Sequence, residues 1–92
     1  MNQLQELYLG KNYIKDLSPL SSLSQLVHLN LNSNNFDDVS PLSPLTQLTG
    51  LYLKNNHLEN ISPLQSLTKL TTLWLDDNYP LLTQLTSHLL SI

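Results

Sequence analysis

Three histidines, a set of aspartates, four tyrosines and a tryptophan are the side chains of this 92-residue chain with scope for chemistry. Counted on a 22-residue period, His28, His57 and His88 fall at three different positions, so no two of them stack. His57 could approach Asp77 and Tyr79, but one histidine and one carboxylate on an open face lack a pocket that excludes water. A nucleophile with a base and an orienting group cannot be assembled in one neighbourhood. The expectation is a chain without catalytic activity and without a cofactor. Asp16, Asp38 and Asn60 share one position of the period, and Asp37 and Glu59 share the one before it. Stacked oxygens of that kind could hold Ca²⁺, which takes six to eight of them. The preferred reading is that the Asp16, Asp38 and Asn60 side chains cap the turn that follows, as aspartate and asparagine do; whether the Asp16, Asp38 and Glu59 group takes calcium is not decided by sequence.

The elements that must position these residues come from the repeat. Leu4, Leu26, Leu48 and Leu70 are each 22 positions apart. Each begins the same pattern: leucine, two variable residues, leucine, one variable, leucine, two variable, asparagine. The units are 4–25, 26–47, 48–69 and 70–91, within a single domain covering 1–92. A period of this length is the signature of a solenoid, whose coils bury their apolar faces only by stacking. Leu7-Tyr8-Leu9 and its three copies alternate with the two-residue period of a strand. Copies at a fixed offset, joined by crossovers, must lie parallel and about 4.8 Å apart.

Leucines then point inward, and the intervening side chains form files on one outer face. The central file is Tyr8, Asn30, Tyr52 and Trp74. Glu6, His28, Gly50 and Thr72 precede it; Gly10, Asn32, Lys54 and Asp76 follow it. Tyr8, Tyr52 and Trp74 are expected to be exposed, and Tyr52 and Trp74 to be neighbours. Large aromatics of this kind concentrate at binding hot spots, although strands also favour aromatics for cross-strand stacking alone. Glu6 opposite His28, and Lys54 opposite Asp76, are expected to be solvated links worth under about 1 kcal/mol. The candidate partner-binding set is Glu6, Tyr8, His28, Asn30, Asn32, Tyr52, Lys54, Trp74 and Asp76.

Asn12, Asn34, Asn56 and Asn78 end each strand. An asparagine amide both donates and accepts, so a stacked file of them can satisfy backbone groups that turns leave bare. This role is structural. The returns carry Leu17-Ser18-Pro19-Leu20, Val39-Ser40-Pro41-Leu42 and Ile61-Ser62-Pro63-Leu64. Serine is a favoured N-cap and proline suits the first helical position, so a short 3₁₀ turn with serine as its cap is expected in each. Leu23, Leu45 and Leu67 should then turn back into the core.

These residues resemble the leucine-rich repeats, and the 22-residue length with the Ser-Pro-Leu return is similar to the bacterial internalin-like subtype. The resemblance covers 4–78 closely. It implies an α/β solenoid: a curved right-handed coil with a concave parallel sheet and short turns on the convex side. It also implies protein–protein recognition through the concave face. The fourth return departs from the pattern, with Pro80, Thr83 and Thr86 at positions held elsewhere by apolar residues. Leu81, Leu82, Leu85 and Leu89 recur at helical spacing, so 81–91 is expected to be an amphipathic helix serving as a partial cap. Only Met1, Asn2 and Gln3 precede Leu4, where the family carries a dedicated cap.

Composition narrows the partner. The chain has no arginine, four lysines and a net charge of −3, which argues against a nucleic-acid surface, where phosphate neutralisation dominates affinity. It has no cysteine, hence no disulfide. No apolar run is long enough to span a membrane as a helix, and the first residues lack the basic and apolar regions of a signal peptide; the expectation is an intracellular protein or a piece of a longer one. The expected partner is a protein or peptide. The rival expectation is a self-assembling unit whose uncapped end coils, including Leu7 and Leu9, pair with another copy.

Overall fold

Alternating leucines at fixed spacing give four short parallel strands in a single sheet. In the computed structural model, which describes residues 3–78, these are β1 (Glu6–Tyr8), β2 (His28–Asn30), β3 (Gly50–Tyr52) and β4 (Thr72–Trp74). Their order across the sheet is their order in the chain. The register is one full repeat throughout: Leu7 lies opposite Leu29, Leu29 opposite Leu51, and Leu51 opposite Leu73. The ladder continues past each strand. Leu9 N–H donates to Asn30 O, Leu31 to Tyr52 O and Leu53 to Trp74 O, each at 2.8 Å.

The inward leucines form the core. Leu29, Leu31, Leu51 and Leu53 are fully buried, and Phe36, Leu42 and Leu45 join them from the return segments. Burial of each such side chain contributes about 1.5–3 kcal/mol. The first coil differs: Leu7, Leu9 and Leu23 are only partly buried, and Leu4 is 39% exposed. A stacked coil buries its leucines between two neighbours, and among the described residues the first coil has a neighbour on one side.

Each of the three described returns holds a 3₁₀ turn: Ser18–Leu20, Ser40–Leu42 and Ser62–Ser66. Proline stands in the first turn of each, where its missing N–H leaves no orphan. The serines do not cap. Each is the first residue of its turn, and the residue before it makes no side-chain cap bond. The cap comes from two residues upstream. Asp16, Asp38 and Asn60 each accept, through Oδ1, the backbone N–H of Ser18, Ser40 and Ser62 at 2.9, 2.9 and 3.0 Å. The hydroxyls of Ser40 and Ser62 donate to the same Oδ1 atoms. Serine is displaced because the Asx geometry already closes the turn. The helix expected over 81–91, with Pro80 and Ile92, lies outside the described residues.

Candidate functional site

The asparagine file builds the platform on which the outer face sits. Asn34 Oδ1 accepts the N–H of Asn12 at 2.9 Å and of Ile14 at 3.0 Å; Asn56 Oδ1 accepts Asn34 N–H at 3.0 Å; Asn78 Oδ1 accepts Asn56 N–H at 3.2 Å and Leu58 N–H at 3.0 Å. The Nδ2 groups of Asn34, Asn56 and Asn78 donate both within their own coil and to the coil before. Asn56, for example, reaches Leu53 O at 3.0 Å and Leu31 O at 3.1 Å. Among the described residues no buried side-chain nitrogen or oxygen lacks a partner, so the edge of the sheet is fixed and its outer side chains are held in file.

That outer face carries the central aromatics. Tyr8 is 62% exposed and Trp74 50% exposed, whereas Tyr52 is half-buried rather than fully exposed. Tyr52 lies against Trp74 edge-on, ring centres 5.1 Å apart and planes at 90°, which is a favoured geometry for aromatic pairs. Tyr8 stands apart, with Asn30 between it and Tyr52 in the register. Glu6 is opposite His28, but its carboxylate accepts the Tyr8 hydroxyl at 3.2 Å instead. Partial desolvation, and then this carboxylate, hold the Tyr8 phenol above its ordinary range.

His28 is turned toward β3. A Cβ built on Gly50 would meet His28 Nδ1 at 2.7 Å and the Tyr52 hydroxyl at 3.2 Å. Gly50, an outward position in the alternation, is therefore buried, because the imidazole and the phenol close over it. His28, Tyr52 and Trp74 form one continuous surface as a result. Asn30 and Asn32 are partly committed to the backbone: Asn30 Oδ1 accepts Asn32 N–H at 2.9 Å and Asn32 Oδ1 accepts Lys54 N–H at 2.8 Å. Lys54 and Asp76 are both exposed, one strand apart at the margin of the aromatic pair.

A second feature on the same side does not follow from the spacing of the repeat. Lys11, Ser33, Asn55 and Asp77 all have φ near 60°, the left-handed region, and Tyr13 joins them at 57°. Asparagine and aspartate tolerate that region, so Asn55 and Asp77 were its only signal in the sequence. Beside this file runs an open groove of about 400 Å³, lined by Lys11, Tyr13, Ser33, Asn34, Asn35, Asn55 and His57.

The acidic file has a structural use. The Asp16 carboxylate is held below its ordinary value by the Ser18 backbone N–H first, and that of Asp38 by the Ser40 hydroxyl and then its N–H. Among the described residues no three acidic or histidine side chains converge as metal ligands. His28 and His57 stand in separate files; Tyr79 and His88 lie outside the described residues.

The comparisons agree with this geometry. A family model described as Leucine Rich repeats (2 copies) matches residues 2–44 and 46–90. An internalin (inlF) from Listeria monocytogenes is 39% identical over 84% of this chain, with a TM-score of 0.82. Internalin C2 from the same organism is 43% identical over 82% of this chain, TM-score 0.81. A leucine-rich repeat protein of Leptospira interrogans is 28% identical over 96%, TM-score 0.77. The matches cover 23%, 33% and 24% of those three chains, so this one spans a quarter to a third of their length. No curated protein matches the sequence.

Proposed function

The chain belongs to the leucine-rich repeat family, and from that premise we propose that it is a non-catalytic module that binds a protein or peptide through the concave face of its sheet. The observation that carries this reading is the edge-on pair of Tyr52 and Trp74, 5.1 Å apart and with half of Trp74 open to solvent. Aromatic anchors surrounded by polar side chains are the usual centre of a binding surface. Here the margin is His28, Asn30, Lys54 and Asp76, with Tyr8, Glu6 and Asn32 toward the first coils. The likeness to internalins supports a repeat surface used for recognition; the partner is proposed by chemistry alone, as a chain presenting apolar or aromatic groups to this pair.

The test is selection of binders from a displayed peptide library, followed by Tyr52→Ala and Trp74→Ala. Each substitution should weaken a selected binder by about 30-fold, the loss of a hot spot worth about 2 kcal/mol, with the far-ultraviolet circular dichroism unchanged. Unaltered affinity in both variants rejects the face as the binding surface.

A second reading, association between copies, is favoured by a separate observation. Among the described residues the outer edge of β1 has no strand beside it, and Leu4 is exposed on the same end. Bare edges recruit strands of other chains.

A further inference from the structure

The groove beside the left-handed file has no role in the aromatic face and touches the asparagine ladder only at Asn34, and its lining points to a ligand class. It is lined by Lys11, Tyr13, Ser33, Asn34, Asn35, Asn55 and His57, and the Asn34 amide is committed to the ladder. The backbone behind them is already engaged. Lys11, Ser33 and Asn55 N–H groups donate to Asn32 O, Lys54 O and Asp76 O at 2.9, 2.8 and 2.9 Å; Asn35 and His57 N–H groups donate to Ile14 O and Phe36 O at 2.9 and 3.1 Å. An extended peptide added by strand pairing would find none of these donors free. Apolar side chains would find no aliphatic residue in the walls. A phosphate would find the N–H groups of Lys11, Ser33, Asn35, Asn55 and His57 already donating and a single lysine, where anion sites use clustered N–H groups or cations. Beyond the ladder amide of Asn34, what the groove presents is the Asn35 amide, the Asn55 amide donating to the Ser33 hydroxyl at 3.3 Å, an imidazole, one ammonium and one phenol ring, which suits a ligand made of hydroxyls on a ring with apolar C–H faces.

Tyr13 supplies the ring. It is 81% exposed and adopts φ 57°. The fold does not require that conformation. Asn78 takes the N–H groups of Asn56 and Leu58 just as Asn34 takes those of Asn12 and Ile14. Yet His57, the residue in the corresponding position, is not among the residues with positive φ. A tyrosine in the left-handed region is strained, and strain of this kind gathers where a side chain is aimed at a task. Three coils at about 4.8 Å spacing give the groove a length of about 10 Å, room for one or two pyranose rings, and its volume lies within the range of small-molecule sites.

We propose that this groove is a saccharide-binding site, with Tyr13 as the stacking platform and Asn35, Asn55 and Ser33 as the groups that recognise hydroxyls. It is independent of the aromatic face. The experiment is titration of ¹⁵N-labelled protein with lactose, maltose, cellobiose and chitobiose, followed by two-dimensional amide spectra. At least one disaccharide should give saturable shifts at Ser33, Asn35 and Asn55. Tyr13→Asn keeps a residue that accepts the left-handed backbone and removes the ring; it should weaken that sugar by about tenfold or more, as should Asn55→Ala, while Tyr52→Ala changes nothing. The proposal is overturned if no sugar saturates, if the shifts centre on Trp74, or if binding survives Tyr13→Asn.

Discussion

Asn34 and Asn56 are buried, whereas Asn12, at the same point of the repeat, is exposed. The difference lies in what each amide joins. Asn12 Nδ2 bonds only within its own coil, to Leu9 O and Gly10 O. Asn56 ties its own coil to the one before: it accepts from Asn34 N–H and donates to Leu31 O and Leu53 O. In Asn56→Ala those carbonyls keep a bond from Asn34 or Asn78, but the buried Asn34 N–H loses its acceptor. An unsatisfied buried group costs about 1–3 kcal/mol, so Asn56→Ala should lower stability by about 2–3 kcal/mol, and Asn12→Ala by under about 1 kcal/mol. Urea unfolding of the two variants measures this, and equal losses would contradict the stacked-amide account.

The 3₁₀ returns carry the acid sensitivity. Two are closed by a carboxylate, Asp16 and Asp38, and the third by the neutral Asn60. Both carboxylates are held below their ordinary value in the fold. The unfolded chain, with its aspartates titrating near about 3.9, therefore takes up protons first as pH falls. The stability these groups confer is complete above that value and is lost as pH drops through the lower folded-state values. Thermal melts at pH 6 and at about pH 3 should show a fall in midpoint that Asp16→Asn/Asp38→Asn reduces, because asparagine makes the same turn without a charge, as Asn60 does. A fall of equal size in the double variant would place the acid-labile groups elsewhere.

Across the whole molecule, the coils are not equivalent. Leucines that are fully buried in the second and third coils are partly open in the first, and among the described residues β1 has no strand on its outer edge. If copies associate there, light scattering should show a mass that rises with concentration and a smaller rise in Leu4→Lys, which places a charge on the exposed end with little effect on the core. A monomer at every concentration would leave the sheet face as the interaction surface under proposal. Such a result would also fit the aromatic pair, which lies on the opposite flank of the sheet, across β3 and β4.

The repeat was legible because its physics is local and periodic. Leucines at a fixed offset can be buried only by stacking, so strand direction, register, the asparagine file and the 3₁₀ returns all follow from position in the period. Features decided by particular side chains in three dimensions were not legible. The capping by Asp16, Asp38 and Asn60 was legible, but that it leaves serine no capping role was not: serine gives its own N–H to those side chains. Gly50 counted as an outward position, yet the His28 imidazole covers it, since nothing but glycine leaves the room. Glu6 was matched with His28 by register, and the Tyr8 hydroxyl took its carboxylate. Tyr13 over its groove came from a backbone torsion that its neighbours in the file do not share. Spacing determines which residues fall in line; rotamers, torsions and competition between nearby donors decide what each of them touches.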